Sequence, residues 1–154
     1  MKVLIVGGVA GGMSAATRLR RLMEDAEIIV LEKGPYVSFA NCGLPYFIAG
    51  EITTRDQLLL QTPESLMARF GLDVRPNQEV LAIHPEQKTV TIHRDSETYE
   101  ESYDKLILAP GAKAIIPKIP GLDRATNCRQ LRNVPDMDAI LQKIDQHISQ
   151  AVVV

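Results

Sequence analysis

The sequence predicts an α/β fold, a parallel sheet that carries a small antiparallel β crossover, and three observations carry that expectation. Aliphatic runs at Lys2 to Val6 and Glu27 to Leu31 bracket a glycine cluster and a helical stretch, as a buried strand-turn-helix-strand unit does. Between Leu72 and Ser102 come four short alternating runs separated by turn residues. A further aliphatic strand, Leu106 to Ala109, stops abruptly at Pro110-Gly111-Ala112.

Taken in order, the first strand ends in Gly7-Gly8-Val9-Ala10-Gly11-Gly12, a turn that opens a helix expected from about Gly11 to Glu24. The second strand ends in Glu32, twenty residues after Gly12. That order and spacing are those of a Rossmann-like dinucleotide unit, in which a diphosphate rests on the helix N-terminus and the acid accepts hydrogen bonds from ribose hydroxyls. The middle glycine of the fingerprint is replaced by Val9, while Gly7 and Gly12 keep their places. On the first helix Ser14, Arg18 and Arg21 recur at i, i+4 and i+7 and share a face, beside an apolar stripe of Ala15, Leu19 and Leu22; Arg20 lies off the basic face. Two guanidinium groups so placed suit phosphates; a solvated helix face is the plainer alternative.

The stretch Ser38-Phe39-Ala40-Asn41-Cys42-Gly43-Leu44-Pro45-Tyr46 places a lone cysteine where a loop enters a short helix running to about Gly50. Helix dipole and free amides there favour a thiolate, against the alternative of a buried, inert Cys42. Thr53 to Gly71 reads as helical, with Pro63 at a first helical position and Leu66, Met67 and Phe70 on its apolar side, packing as a cover over the nucleotide unit. Leu72 to Arg75, Val80 to His84, Thr89 to His93 and Thr98 to Tyr103 are the strands expected of the antiparallel crossover. After an extended linker marked by Pro117, Pro120 and Gly121, a last helix runs from Val134 to Ser149, with Met137, Ile140, Leu141 and Ile144 on one side. Ala151 to Val154 reads as the beginning of another strand, so the chain is expected to be the N-terminal piece of a longer protein.

Composition narrows the function classes. At 154 residues and 45% hydrophobic, the chain can bury one well-packed core. Seventeen Lys+Arg against nineteen Asp+Glu leave a net charge of -2, which argues against nucleic acid or an anionic membrane as partner. No apolar run reaches membrane-spanning length and no leader pattern precedes Lys2, so a soluble, cytoplasmic protein is expected. Cys42 and Cys128 are far apart, and His84, His93 and His147 lack ligand spacing, so neither a structural disulfide nor a metal site is expected.

The glycine turn, Glu32-Lys33, Ser38 through Pro45, Tyr103 through Gly111 and Leu131-Arg132 together resemble the FAD-dependent pyridine nucleotide-disulfide oxidoreductases with a single active-site cysteine. The resemblance covers the whole chain and is strongest to the coenzyme A-disulfide and NADH-dependent persulfide reductases of that family, with NADH oxidases and peroxidases as relatives. It implies that Gly7, Gly8, Val9, Ala10, Gly11 and Gly12 hold the FAD diphosphate, Glu32 and Lys33 the adenosine ribose region, and the Val80 backbone the adenine. Ala109, Pro110, Gly111, Ala112 and Arg132 would complete the flavin contacts. Cys42 would be the redox-active nucleophile, and Ser14, Arg18, Arg21, Ser38 and Asn41 would contact coenzyme A. The oxidases and peroxidases carry an acid/base histidine where this chain has Ala10, which favours disulfide or persulfide reduction. Further implied are NAD(P)H as reductant and a homodimer in the intact enzyme. The implied domains are an FAD-binding part over 1–115 with its β insertion at about 72–103, a linker and helix over 116–150, and the start of a truncated NAD(P)H-binding domain at 151–154. These residues alone would not take a hydride. A flavin- or nucleotide-carrier module with an incidental cysteine is the reading from another class.

Overall fold

The computed structural model describes residues 1–145, 148 and 150–153. The chain divides into two compact units, Met1–Phe39 with Leu59–Gly111 and Ala40–Leu58 with Ala112–Val154. In the first unit, β1 (Lys2–Val6), α1 (Ala10–Leu22) and β2 (Glu27–Leu31) form the expected βαβ unit, with Val3 opposite Ile28 and Ile5 opposite Val30 in parallel register. The parallel sheet is completed by β3 (Asp73–Arg75) beside β2 and β7 (Lys105–Leu108) beside β1. Three strands, β4 (Gln78–His84), β5 (Thr89–Arg94) and β6 (Glu97–Ser102), make the separate antiparallel sheet.

Because side chains of a strand alternate, the parallel sheet is apolar on both faces. Val3, Ile5, Ile28, Val30 and Val74 pack with Met13 and Ala16 of α1 and with Leu66 of α3 (Pro63–Phe70). Leu4, Ile29 and Leu31 point the other way and bury Val90 and Ile92 of the antiparallel sheet. The unit is therefore three layers deep, helices, parallel sheet, antiparallel sheet. Each fully buried aliphatic side chain contributes about 1.5–3 kcal/mol.

Three expectations need correction. Leu72 to Arg75 does not join the antiparallel sheet, for Asp73–Arg75 pairs in parallel with Ile29–Leu31. With Leu72 and Val74 both buried in the helix-side core, sheet membership follows the tertiary neighbour and not the strand's own alternation. Leu22, 64% exposed, and Met67, 50% exposed, lie off the apolar stripes assigned to them. The inward face of α1 is Gly12, Met13 and Ala16, with Ala15 and Leu19 of the expected stripe half-buried against the same core, and that of α3 is Leu66 with half-buried Phe70. α3 is shorter than the helical stretch expected from Thr53, because a Thr62–Ser65 capping box starts it at Pro63 and Gly71, left-handed at φ 59, ends it. Arg20 closes the same end, its Nε donating to the Phe70 carbonyl at 2.8 Å and a terminal nitrogen to that of Gly71 at 2.9 Å.

In the second unit the Asn41–Gly43 turn leads into α2 (Leu44–Ile48), and α4 (Val134–Ile144) begins with an Asn133–Asp136 capping box. Among the described residues, Leu44, Leu58, Val134 and Met137 are its buried side chains. The expected last helix thus ends at Ile144; of the positions assigned beyond it, 146, 147 and 149 lie outside the described residues. Ala151, Val152 and Val153 are exposed and belong to no strand, and the remaining position of that expected strand, 154, also lies outside the described residues.

Charges tie the two sheets of the first unit together. Lys2 pairs with Glu101 of β6, whose other oxygen accepts from Arg75 at 2.6 Å, while Arg75 forks onto Asp73 at 2.9 and 2.6 Å. Burial pushes the Glu101 carboxyl up, but the hydrogen-bonded Lys2 and Arg75 outweigh it and hold the group below its ordinary 4.5. The hydrogen bond to Glu101 raises Lys2 above its ordinary 10.5. A lowered carboxylate stabilises the fold fully above about pH 4.5 and loses that contribution as pH falls through the folded-state value; a raised lysine contributes fully below about pH 10.5 and loses its share above it. Glu101→Gln is expected to cost about 1–3 kcal/mol at pH 7, since the site is only partly buried. Urea melts should show this gap to wild type narrowing toward pH 3.5. A gap that is constant with pH would mean that the carboxylate charge is not what holds the sheets.

Candidate functional site

The glycine turn at the end of β1 is shaped by close backbone approach. Gly7 is left-handed at φ 105, and a Cβ there would fall 2.0 Å from the Ala109 carbonyl oxygen. A Cβ on Gly12 would fall 1.7 Å from the Gly7 oxygen, and one on Gly8 2.9 Å from Glu32 Cβ. The missing middle glycine is harmless here: Val9 is the half-buried residue before α1, outside these close contacts. The turn is held from three sides, by Gly7 N–H donating to Leu31 O at 2.8 Å, Ala109 N–H to Val6 O at 2.7 Å and Ser38 N–H to Gly8 O at 2.9 Å.

The start of α1 has no side-chain cap and no acidic residue in its first turn, and Ala10 and Gly11 are exposed. Helix geometry leaves its leading amides without an intrahelical acceptor. Beside it, the Glu32 carboxylate accepts from Gly8 N–H at 2.7 Å with one oxygen and from Gly34 N–H at 2.8 Å with the other. Each oxygen retains a lone pair for a hydroxyl donor. An uncapped helix end lined by small residues and flanked by such a carboxylate suits the diphosphate and ribose of a dinucleotide. Lys33 pairs with Glu79 at 2.6 Å, one residue before Val80, which sits half-buried at an irregularity of β4 opposite Ile92. The residues expected around an adenosine are thus adjacent.

Pro110 and Gly111, the latter at φ 72, are exposed after β7. In the second unit, Arg132 Nε donates to the Ala112 carbonyl at 3.1 Å, bringing those two expected residues together. Ser14, Arg18 and Arg21 are all exposed on α1, and among the described residues neither arginine has an ion-pair partner. Arg20 is committed to the end of α3, as its position off the basic face required.

The loop from Ser38 to Pro45 passes from the first unit to the second. Ser38 adopts φ 47, uncommon for a residue with a Cβ, and Asn41 is half-buried. Cys42 is exposed in the Asn41–Gly43 turn, and not the buried hydrophobe of the plainer reading. Its position is set by its neighbours: Ala40 N–H donates to Leu58 O at 2.9 Å, and a Cβ on Gly43 would meet Leu58 Cδ2 at 2.6 Å. Cys128, the second free thiol, is exposed in an irregular stretch of the same unit. Among the described residues no cluster could hold a metal ion, and no helix is long and apolar enough to cross a membrane.

Sequence reasoning did not find the bidentate pair between Arg55 and Asp138, at 2.7 Å for each nitrogen-oxygen contact. Nothing local signals it, since the partners stand 83 residues apart.

The arrangement has close counterparts among known proteins. A coenzyme A disulfide reductase from Staphylococcus haemolyticus is 43% identical over 155 residues, covering 99% of this chain and 34% of that protein. The crystal structure of reduced Bacillus anthracis CoADR-RHD superposes with a TM-score of 0.91 at 56% identity, over 95% of this chain and 27% of that one. An NAD-dependent persulfide reductase from A. fulgidus does so with a TM-score of 0.89 at 33% identity, over the same shares of 95% and 27%. The chain thus spans about a third of the length of the curated relatives it matches. The family model described as pyridine nucleotide-disulphide oxidoreductase matches residues 1–154. With its glycine turn, Glu32 and exposed Cys42 in place, the chain belongs to the pyridine nucleotide-disulphide oxidoreductase family.

Proposed function

We propose that this chain supplies the FAD-binding and thiol-bearing part of an NAD(P)H-dependent reductase of coenzyme A disulfide or a related persulfide. The observation that carries the reading is the exposed Cys42, held in the tight Asn41–Gly43 turn of a chain whose first unit carries the uncapped glycine turn and Glu32. Gly7 through Gly12 hold the diphosphate, Glu32 and Lys33 the ribose end, and the Val80 backbone the adenine; Ala109 through Ala112 and Arg132 serve the flavin end. A flavin bound there would supply two-electron transfer between the nicotinamide and a disulfide. The Cys42 thiolate attacks one sulfur of coenzyme A disulfide, forming a mixed disulfide and releasing one coenzyme A thiolate; two electrons and a proton then regenerate the Cys42 thiolate and release the second coenzyme A as a thiol. Ser14, Arg18, Arg21, Ser38 and Asn41 bind the coenzyme, the arginines through its phosphates.

An NADH oxidase or peroxidase of the same family is the second reading. Against it stands Ala10, exposed at the first position of α1, where a methyl group offers no proton. The test is an assay of the full-length protein with NAD(P)H and either coenzyme A disulfide, a small disulfide, peroxide or oxygen. Coenzyme A disulfide is the expected substrate. Arg18→Gln with Arg21→Gln should raise its KM by ten-fold or more per arginine while sparing small disulfides, as charge-assisted phosphate contacts of ordinary strength require. NADH consumption that needs only oxygen or peroxide would hand the site to the second reading, and unchanged kinetics in the double variant would reduce the arginines to a solvated face.

A further inference from the structure

We infer that Arg55 and Asp138 are positioning residues for Cys42: their bidentate ion pair fixes the Leu58 anchor on which the cysteine turn is built. The inference rests on the reading of Cys42 as the reactive thiol.

The structural chain is short and lies within one unit. Cys42 has no side-chain cap near it, and α2 behind it is only five residues long, so local helix structure does little to hold the turn. Beyond its own backbone hydrogen bonds, the turn is anchored on Leu58, fully buried, which receives the Ala40 N–H on its carbonyl at 2.9 Å and the Gly43 Cα against its side chain. Gly43 has no room for a Cβ there, with Leu58 Cδ2 at 2.6 Å and Ile52 Cδ1 at 3.2 Å from its place. The residues on both sides of Asn41-Cys42 are thus referenced to one residue, Ala40 to the Leu58 backbone and Gly43 to its side chain.

Leu58 in turn closes the short Arg55–Gln57 turn, its N–H donating to the Arg55 carbonyl at 2.9 Å. That turn contributes no buried residue of its own. The Arg55 guanidinium reaches α4, where both of its terminal nitrogens meet the two oxygens of Asp138 at 2.7 Å. A fork-to-fork pair fixes direction as well as distance, which a single contact or a lysine would not. α4 is itself anchored by buried Val134 and Met137 and by its capping box. The pair therefore transmits the position of a packed helix to the Leu58 anchor and through it to the cysteine turn. A displacement of about 1 Å at a reacting group can cost about a hundred-fold in rate, so a device of this kind bears on the chemistry.

The test compares wild type, Arg55→Gln, Asp138→Asn and the exchanged pair Arg55→Asp with Asp138→Arg, each as the intact, cofactor-loaded protein. Two readouts are taken by peptide mapping: amide exchange at Ala40 and Gly43, and the ratio of Cys42 to Cys128 alkylation rates. Cys128 lies in the same unit and is also exposed, so loosening of that unit as a whole moves both thiols together. Expected in each single variant are ten-fold or faster exchange at Ala40 and Gly43, unchanged exchange in the β1 peptide, and a fall of several-fold in the thiol ratio. The exchanged pair should recover at least part of both. Unchanged exchange at Ala40 and Gly43, or acceleration that extends equally to β1, would overturn the inference. If wild-type Cys42 reacts no faster than Cys128, the reading of Cys42 as the reactive thiol fails, and the exchange data still decide whether the pair holds the turn.

Discussion

Gly12→Ala is expected to destabilise the protein by more than about 4 kcal/mol, while Gly11→Ala, one residue away, changes stability by no more than about 1 kcal/mol in either direction. The Cβ added at position 12 would lie 1.7 Å from the Gly7 carbonyl oxygen and 2.9 Å from its carbon. Both are backbone atoms of a turn pinned by the Leu31 carbonyl, so no side-chain rotation can relieve the overlap. Gly7 cannot retreat, because its own Cα faces the Ala109 oxygen, 2.0 Å from where a Cβ would stand. At Gly11 the nearest atom to the new methyl is Ala109 Cβ at 3.5 Å, ordinary van der Waals contact, and alanine is the better helix former. Urea melts of the two variants measure the difference. A Gly12→Ala protein within about 1 kcal/mol of wild type would show that the turn relaxes freely and that its glycines are not required by β1–α1 packing.

Cys42→Ser in the full-length protein is expected to lower NAD(P)H-dependent reduction of coenzyme A disulfide by about a thousand-fold or more, with flavin content unchanged. A serine hydroxyl cannot form the mixed disulfide through which electrons reach the substrate. Serine is nearly isosteric with cysteine and Cys42 is exposed in its turn, so folding should be spared. Cys128→Ser, at another exposed site, should leave turnover within about two-fold of wild type, in the range expected for a surface change away from the chemistry. Full activity in Cys42→Ser would remove the thiol from the mechanism and favour a flavin-carrier module. Loss of flavin together with activity would mean that Cys42 acts in holding the cofactor.

Both expectations concern short stretches of chain, whose residue pattern makes them legible in the amino-acid sequence. A buried aliphatic or alternating strand, a helix and a glycine turn are specified by neighbours within a few residues, so β1, β2 and the antiparallel strands fall within two residues of where their patterns place them. The site residues of the first unit follow from the same local grammar: Glu32 stands one residue past the end of β2, and Gly7 and Gly12 stand where a backbone must pass a backbone.

By itself, then, the sequence determined the βαβ unit, its glycine turn and acid, the cysteine turn, and the family to which they belong. Tertiary structure alone decided which sheet takes Asp73–Arg75, which faces of α1 and α3 leave Leu22 and Met67 in solvent, and that Ala40–Leu58 joins the chain after Ala112 in one compact unit. It also decided that Arg55 meets Asp138 and that Lys2 meets Glu101. The reason is the range of the interactions. Periodicity reports which way a side chain points relative to its own element, whereas β3 pairs with β2 at residues 44 positions apart and the ion pairs join residues 83 and 99 positions apart, whose meeting depends on how every intervening element packs.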